Sequence, residues 1–162
     1  MPRIVVLLAP GFALAVFLAT STTLRATVAT HFAARGRANG FMTRVGCQVF
    51  FCGLVTFVVV VGSGSFAWLP ARFPRTPNLP HRDHWLEPPR SEATLQTLRA
   101  GGAAMAVSML ALLILVHLLV VDAHARTPPA LHEAATLAVL GVFVALLVAV
   151  LVASYLRFRT PG

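Results

Sequence analysis

Four long apolar runs without a formal charge, with every arginine and carboxylate placed between or outside them, constrain this chain more than any short motif. The runs are Ile4–Leu24, Val45–Ala71, Ala100–Val121 and Ala134–Leu156. Each exceeds the roughly 18 residues needed to cross a hydrocarbon core of about 30 Å. A lipid environment offers the backbone no hydrogen-bond partners, so spans of this kind must be helical. The expected fold class is all-α: an integral membrane four-helix bundle with antiparallel, up-down spans. The whole chain, residues 1–162, reads as a single membrane domain. Its spans lie at about 4–24, 46–70, 101–121 and 135–156, with a loop at 25–45 and a Pro-rich loop at 71–99.

Mean hydropathy is +0.80, and the intervening loops are too short to bury a core of their own. The formal net charge of +8 comes entirely from arginine, because lysine is absent. In a soluble protein that excess would suggest nucleic acid. Here the arginines sit at membrane edges and form no stripe interleaved with aromatics, which leaves cytoplasmic-loop bias and anionic lipid as the simpler cause. The expected partners are therefore the lipid bilayer and a membrane-protein partner or second copy, not nucleic acid. Arginine at every basic position, with abundant Ala, Val, Leu and Pro, fits a GC-rich bacterial genome and hence the bacterial inner membrane.

Orientation follows from arginine counts. Eight lie on the side holding the N-terminus, second loop and C-terminus, against five on the side holding the first and third loops. Both termini are thus expected in the cytoplasm. Trp68, Trp85 and Tyr155 then fall near the cytoplasmic interface, where amphipathic rings are favoured. The first run is read as a retained helix. Cleavage as a signal peptide is the alternative, opposed by its length and by the lack of an A-x-A site near Ala19, Thr20 and Ser21. Pro10-Gly11 is expected to kink it or to mark a close approach by a neighbour.

In the first loop, Gly36 and Asn39-Gly40 are turn formers, so this segment is expected to be a compact ordered loop. In the second, Pro74, Pro77 and Pro80 favour extended chain. Beyond Pro88-Pro89, the segment from Ser91 to Arg99 has helical spacing, with Ser91 the expected N-cap, and leads into the third span. Thr127-Pro128-Pro129 stops one helix before the next begins. Small residues at Gly62-Ser63-Gly64-Ser65, Gly101-Gly102 and Gly141 would permit close helix approach, and Met105 and Met109 would fill gaps.

No complete catalytic constellation is present: no nucleophile beside a base, no Gly-rich phosphate loop, no paired carboxylates within a span. A non-enzymatic protein without a cofactor is the resulting expectation. His117 is the one ionisable side chain well inside an apolar run, so it must face protein or water. It could relay protons or ligate a metal together with His31, Asp122 and His124, but these residues have no diagnostic spacing, and a packing histidine bonded across the bundle is the plainer reading. Cys47 and Cys52 lie about 140° apart around a helix and are expected to pack rather than pair. In the second loop His81, Asp83 and His84 lack metal-site spacing. There Asp83 and Glu87 are expected to pair with Arg82 and Arg90, while Trp85 and Leu86 dock on the membrane surface.

Two loops carry a resemblance. His31-Phe32 followed by Gly36, Asn39-Gly40 and Arg44 resembles the domain of unknown function 1648 family, and Asn78, Pro80, Arg82, Asp83, Trp85 and Arg90 are similar to a stretch of its small multi-span bacterial members. The chain departs from the pattern at Leu24-Arg25, where the family has Leu-Pro. The resemblance implies a recognition role for these residues, in immunity or signal perception, since a related domain occurs in larger immunity proteins that guard against a secreted killing factor. Partner, peptide or lipid recognition is thus one functional reading; metal or proton handling through His117 and its neighbours is the other.

Overall fold

A computed structural model describes residues 3–63, 72–73, 77 and 79–159. Among the described residues five helices are delimited: α1 (Arg3–Ser21), α2 (Arg44–Ser63), the short α3 (Arg82–Leu86), α4 (Ser91–His124) and α5 (Glu133–Phe158). Between α1 and α2 stand two strands, β1 (Thr27–Phe32) and β2 (Ala38–Thr43). Trp68, Gly64, Ser65, Pro74 and Asn78 lie outside the described residues.

The chain is a mostly helical membrane protein. Among the described residues three helical stretches are long and apolar enough to cross a bilayer: Arg44–Gly62, Ser91–His124 and Glu133–Phe158. The apolar stretch Leu7–Ser21 within α1 is shorter. At 34 residues α4 is about 51 Å long and overhangs a 30 Å core, so the segment before the third apolar run is helical, as its spacing predicts. It opens without Ser91 as its cap: Arg90 holds the N-cap position, and the Ser91 amide already bonds to the Glu87 carbonyl at 3.0 Å.

Helices α1, α2 and α4 share one core. Ala13 and Phe17 stand one turn apart on α1, as do Phe51 and Val55 on α2, and Leu110 faces them from α4. Phe17 and Phe51 stack with ring centroids 3.8 Å apart and an interplanar angle of 2°. Lipid tails are as apolar as these side chains, so the gain here is close packing rather than escape from water. Helix α5 contributes no residue to that core; it packs along α4, from which the short Thr127–Pro129 connection turns it back. Its apolar surface is exposed all round, as befits a helix bathed in lipid.

Of the small residues expected to bring helices together, Gly62 does so: a Cβ there would stand 3.1 Å from Ala106 Cβ on α4. Gly11, Gly101 and Gly141 have open space where a Cβ would go. Among the described residues no neighbour within the bundle approaches these three positions closely.

The first loop is an antiparallel hairpin, a departure from a purely α architecture. Its turn runs through Ala33–Arg37, where Arg35 and Gly36 adopt φ of 65° and 70°. Asn39-Gly40, expected in the turn, lies within β2 instead. Register explains the displacement: Ala29 pairs Phe41, His31 pairs Gly40 and Phe32 pairs Ala38, so Thr30 bulges from one strand and Asn39 from the other.

Candidate functional site

The hairpin residues singled out by their pattern build the hairpin itself. His31 Nδ1 and Asn39 Oδ1 are hydrogen-bonded across the paired bulges. Gly40 is required by His31: a Cβ at position 40 would lie 2.8 Å from His31 Cβ. Gly36 answers to two demands, its positive φ and the Leu131 carbonyl oxygen, which would lie 2.5 Å from an added Cβ. Phe32 is half-buried opposite Ala38. Arg44 opens α2 and donates from Nη1 to the Leu24 carbonyl at 3.2 Å, tying the hairpin base to the end of α1.

The hairpin is held from below at β1. Val28 and Ala29 are fully buried. The Ala29 amide donates to His124 Nε2 at 3.0 Å, while His124 Nδ1 donates to the Val120 carbonyl at 2.8 Å. That pair of bonds fixes the ring as the Nδ1–H tautomer. At the turn, the Leu131 amide donates to the Gly36 carbonyl at 2.9 Å and Arg37 pairs with Ala130. Arg126 braces the facing loop, donating to the Ala130 carbonyl at 2.7 Å and pairing with Asp122 at 2.7 Å. The first and third loops therefore form one unit at one end of the bundle.

A second polar tie lies deeper. His117, 5% exposed, contacts Thr20 across the bundle, Nε2 to Oγ1 at 2.8 Å. Thr20 Oγ1 itself donates to the Val16 carbonyl at 2.7 Å, so its lone pair accepts from His117 Nε2–H and the histidine Nδ1 carries the free lone pair. The next residue, fully buried Ser21, accepts from Gln48 Nε2 at 2.9 Å and joins α1 to α2. His117 also packs on Phe17, ring centroids 4.4 Å apart.

The proposed ligand set His31, His117, Asp122 and His124 is not assembled. Each member is engaged separately, with Asn39, Thr20, Arg126 and Ala29, and among the described residues no group of three or more His, Cys, Asp or Glu could hold a metal. Cys47 and Cys52 are free thiols.

The second cluster sits at the opposite end of α4. Arg82 pairs with Asp83 and Arg90 with Glu87, at 3.3 and 3.2 Å, as their spacing predicts. Pro80 is half-buried just before this segment. Trp85 is tied to the end of α5. Its Nε1 donates to the Phe158 carbonyl at 3.0 Å, its ring meets the Phe158 ring edge-on at 5.5 Å, and its own carbonyl accepts from Thr94 Oγ1 at 2.9 Å. The helix end of α5 thus supplies an acceptor for the indole N–H.

Thr20 and Thr30 are the residues that pattern reading passed over. Thr20 drew notice only as part of a small-residue stretch near a possible cleavage site. A polar residue at the end of an apolar run, with a histidine deep in another, was the available signal. No protein family, characterised protein or solved structure matches this chain.

Proposed function

We propose that this is a bacterial inner-membrane protein in which α1 supplies a fourth span and the hairpin end faces outward, recognising a partner without catalysis. The arginine balance supports cytoplasmic termini and an external hairpin. The reading follows the resemblance to the domain of unknown function 1648 family, in an immunity or signal-perception role.

The observation that carries it is the contrast between an anchored part of β1 and the exposed residues around it. Val28 and Ala29 are buried, and the Ala29 amide is held by His124. His31, Asn39 and Phe41 are exposed, Phe41 to 57%, with Arg35 and Arg37 exposed at the turn. Residues 25–44 contain four arginines and no carboxylate. Beside the turn lies a depression of about 540 Å³ lined by Arg126, Leu131, His132, Glu133 and Leu137. An aromatic flanked by arginines on a rigid strand pair is the composition of an interface hot spot, and its charge suits an acidic polypeptide.

The test is a photo-crosslinking amino acid in place of Phe41 in native membranes. A discrete polypeptide adduct, lost on reversing Arg35 and Arg37 to glutamate, is expected. Crosslinks to lipid alone, or adducts indifferent to the reversal, would overturn the reading.

A further inference from the structure

Beneath the hairpin, between α2 and α4, lies a cavity of about 270 Å³ whose walls are mostly apolar. Phe17 and Phe51 supply aromatic surface, Met42 and Thr30 descend from the hairpin, and His117 lines the inner wall. Phe50, 60% exposed, and Val116, 40% exposed, are lining residues that also reach the outer surface of the bundle.

Two polar groups in this cavity have no hydrogen-bond partner among the described residues. One is His117 Nδ1, left as an acceptor because Nε2 is committed to Thr20. The other is the hydroxyl of Thr30, placed there by the bulge that takes it out of strand pairing. The His117 residue is only 5% exposed and among the described residues no buried side-chain atom lacks a partner, so Nδ1 is open to the cavity, where an acceptor among aromatic walls is best satisfied by a donor that enters it. The cavity is smaller than a typical site for a whole drug-sized ligand, but large enough for one ring.

We propose that this cavity binds the phenolic head group of a lipid-soluble molecule, with the ring against Phe17 and Phe51, the hydroxyl donating to His117 Nδ1, and the tail leaving past Phe50 into the bilayer. A bare acyl chain would fill the space and leave both polar groups unanswered. Thr30 and Met42 belong to the hairpin, so an occupied cavity also braces the recognition face from below. This inference does not depend on what the hairpin recognises.

The test compares 4-dodecylphenol with its methyl ether, which partitions similarly but has no hydroxyl to donate. Binding is measured as saturable uptake into nanodiscs bearing the full chain, relative to empty nanodiscs, with the side-chain nitrogens of ¹⁵N-labelled histidine observed in parallel. The phenol is expected to bind about tenfold more tightly than the ether, the worth of one hydrogen bond, and to move the His117 Nδ1 resonance. Val116→Trp fills the mouth without touching the His117–Thr20 bond and should abolish saturable uptake. Equal uptake of phenol and ether, no saturable uptake of either, or uptake unchanged in Val116→Trp would each overturn the proposal.

Discussion

His117 on α4 and Thr20 on α1 are joined by a 2.8 Å hydrogen bond inside the apolar bundle, and it links α1 to a helix long enough to span the membrane. Removing the acceptor leaves a buried N–H without a partner. Thr20→Val should lower unfolding stability in detergent by about 1–3 kcal/mol, while Thr20→Ser should keep most of it. Loss in Thr20→Ser with Thr20→Val unchanged would show that the methyl group, not the bond, matters.

The glycines divide sharply. Gly36→Ala and Gly40→Ala each force a Cβ into occupied space, so each should destabilise the hairpin by about 1–3 kcal/mol, read as faster amide exchange across residues 27–43. Gly36→Ala should be the worse, because the left-handed backbone adds its own cost. Gly141→Ala meets open space in the middle of α5 and should be neutral or stabilising by up to about 1 kcal/mol.

His124 is an anchor for the hairpin. His124→Leu orphans the buried Ala29 amide, and protection of that amide against exchange should fall about tenfold or more. Asp122→Asn should change little, since its ion pair with Arg126 is about half exposed.

At the other end, Trp85→Phe keeps the ring contact with Phe158 but loses the indole N–H bond to its carbonyl. A loss of about 1 kcal/mol is expected, with Trp85→Ala costing more because the edge-on packing disappears as well. Thermal unfolding of the variants in one detergent measures both.

Helical spans were legible because charge segregation is a property of composition along the chain, and three of the four runs appear as helices long enough to cross. The surface ion pairs of the second loop were legible for the same reason: their partners are neighbours in sequence. Strand pairing was not. Asn39-Gly40 has the chemistry of a turn, yet the paired bulges at Thr30 and Asn39 carry it into β2 and leave the reversal to Arg35 and Gly36. Nothing local announces that His31 will stand over Gly40, or that Trp85 will find a carbonyl 73 positions away. The deep histidine stood out as an exception in the sequence, but its partner lies 97 positions earlier, and the cavity it lines is assembled from α1, α2, α4 and both strands.

The central claim is that α1 crosses the membrane, which sets the N-terminus and the hairpin on opposite faces. Single cysteines at Arg3 and Arg37, in a chain whose Cys47 and Cys52 are replaced by alanine, report this by labelling with a membrane-impermeant maleimide on intact cells. The account predicts labelling at position 37 from outside, and at position 3 only after the membrane is opened. Labelling of both positions from the same side would contradict it.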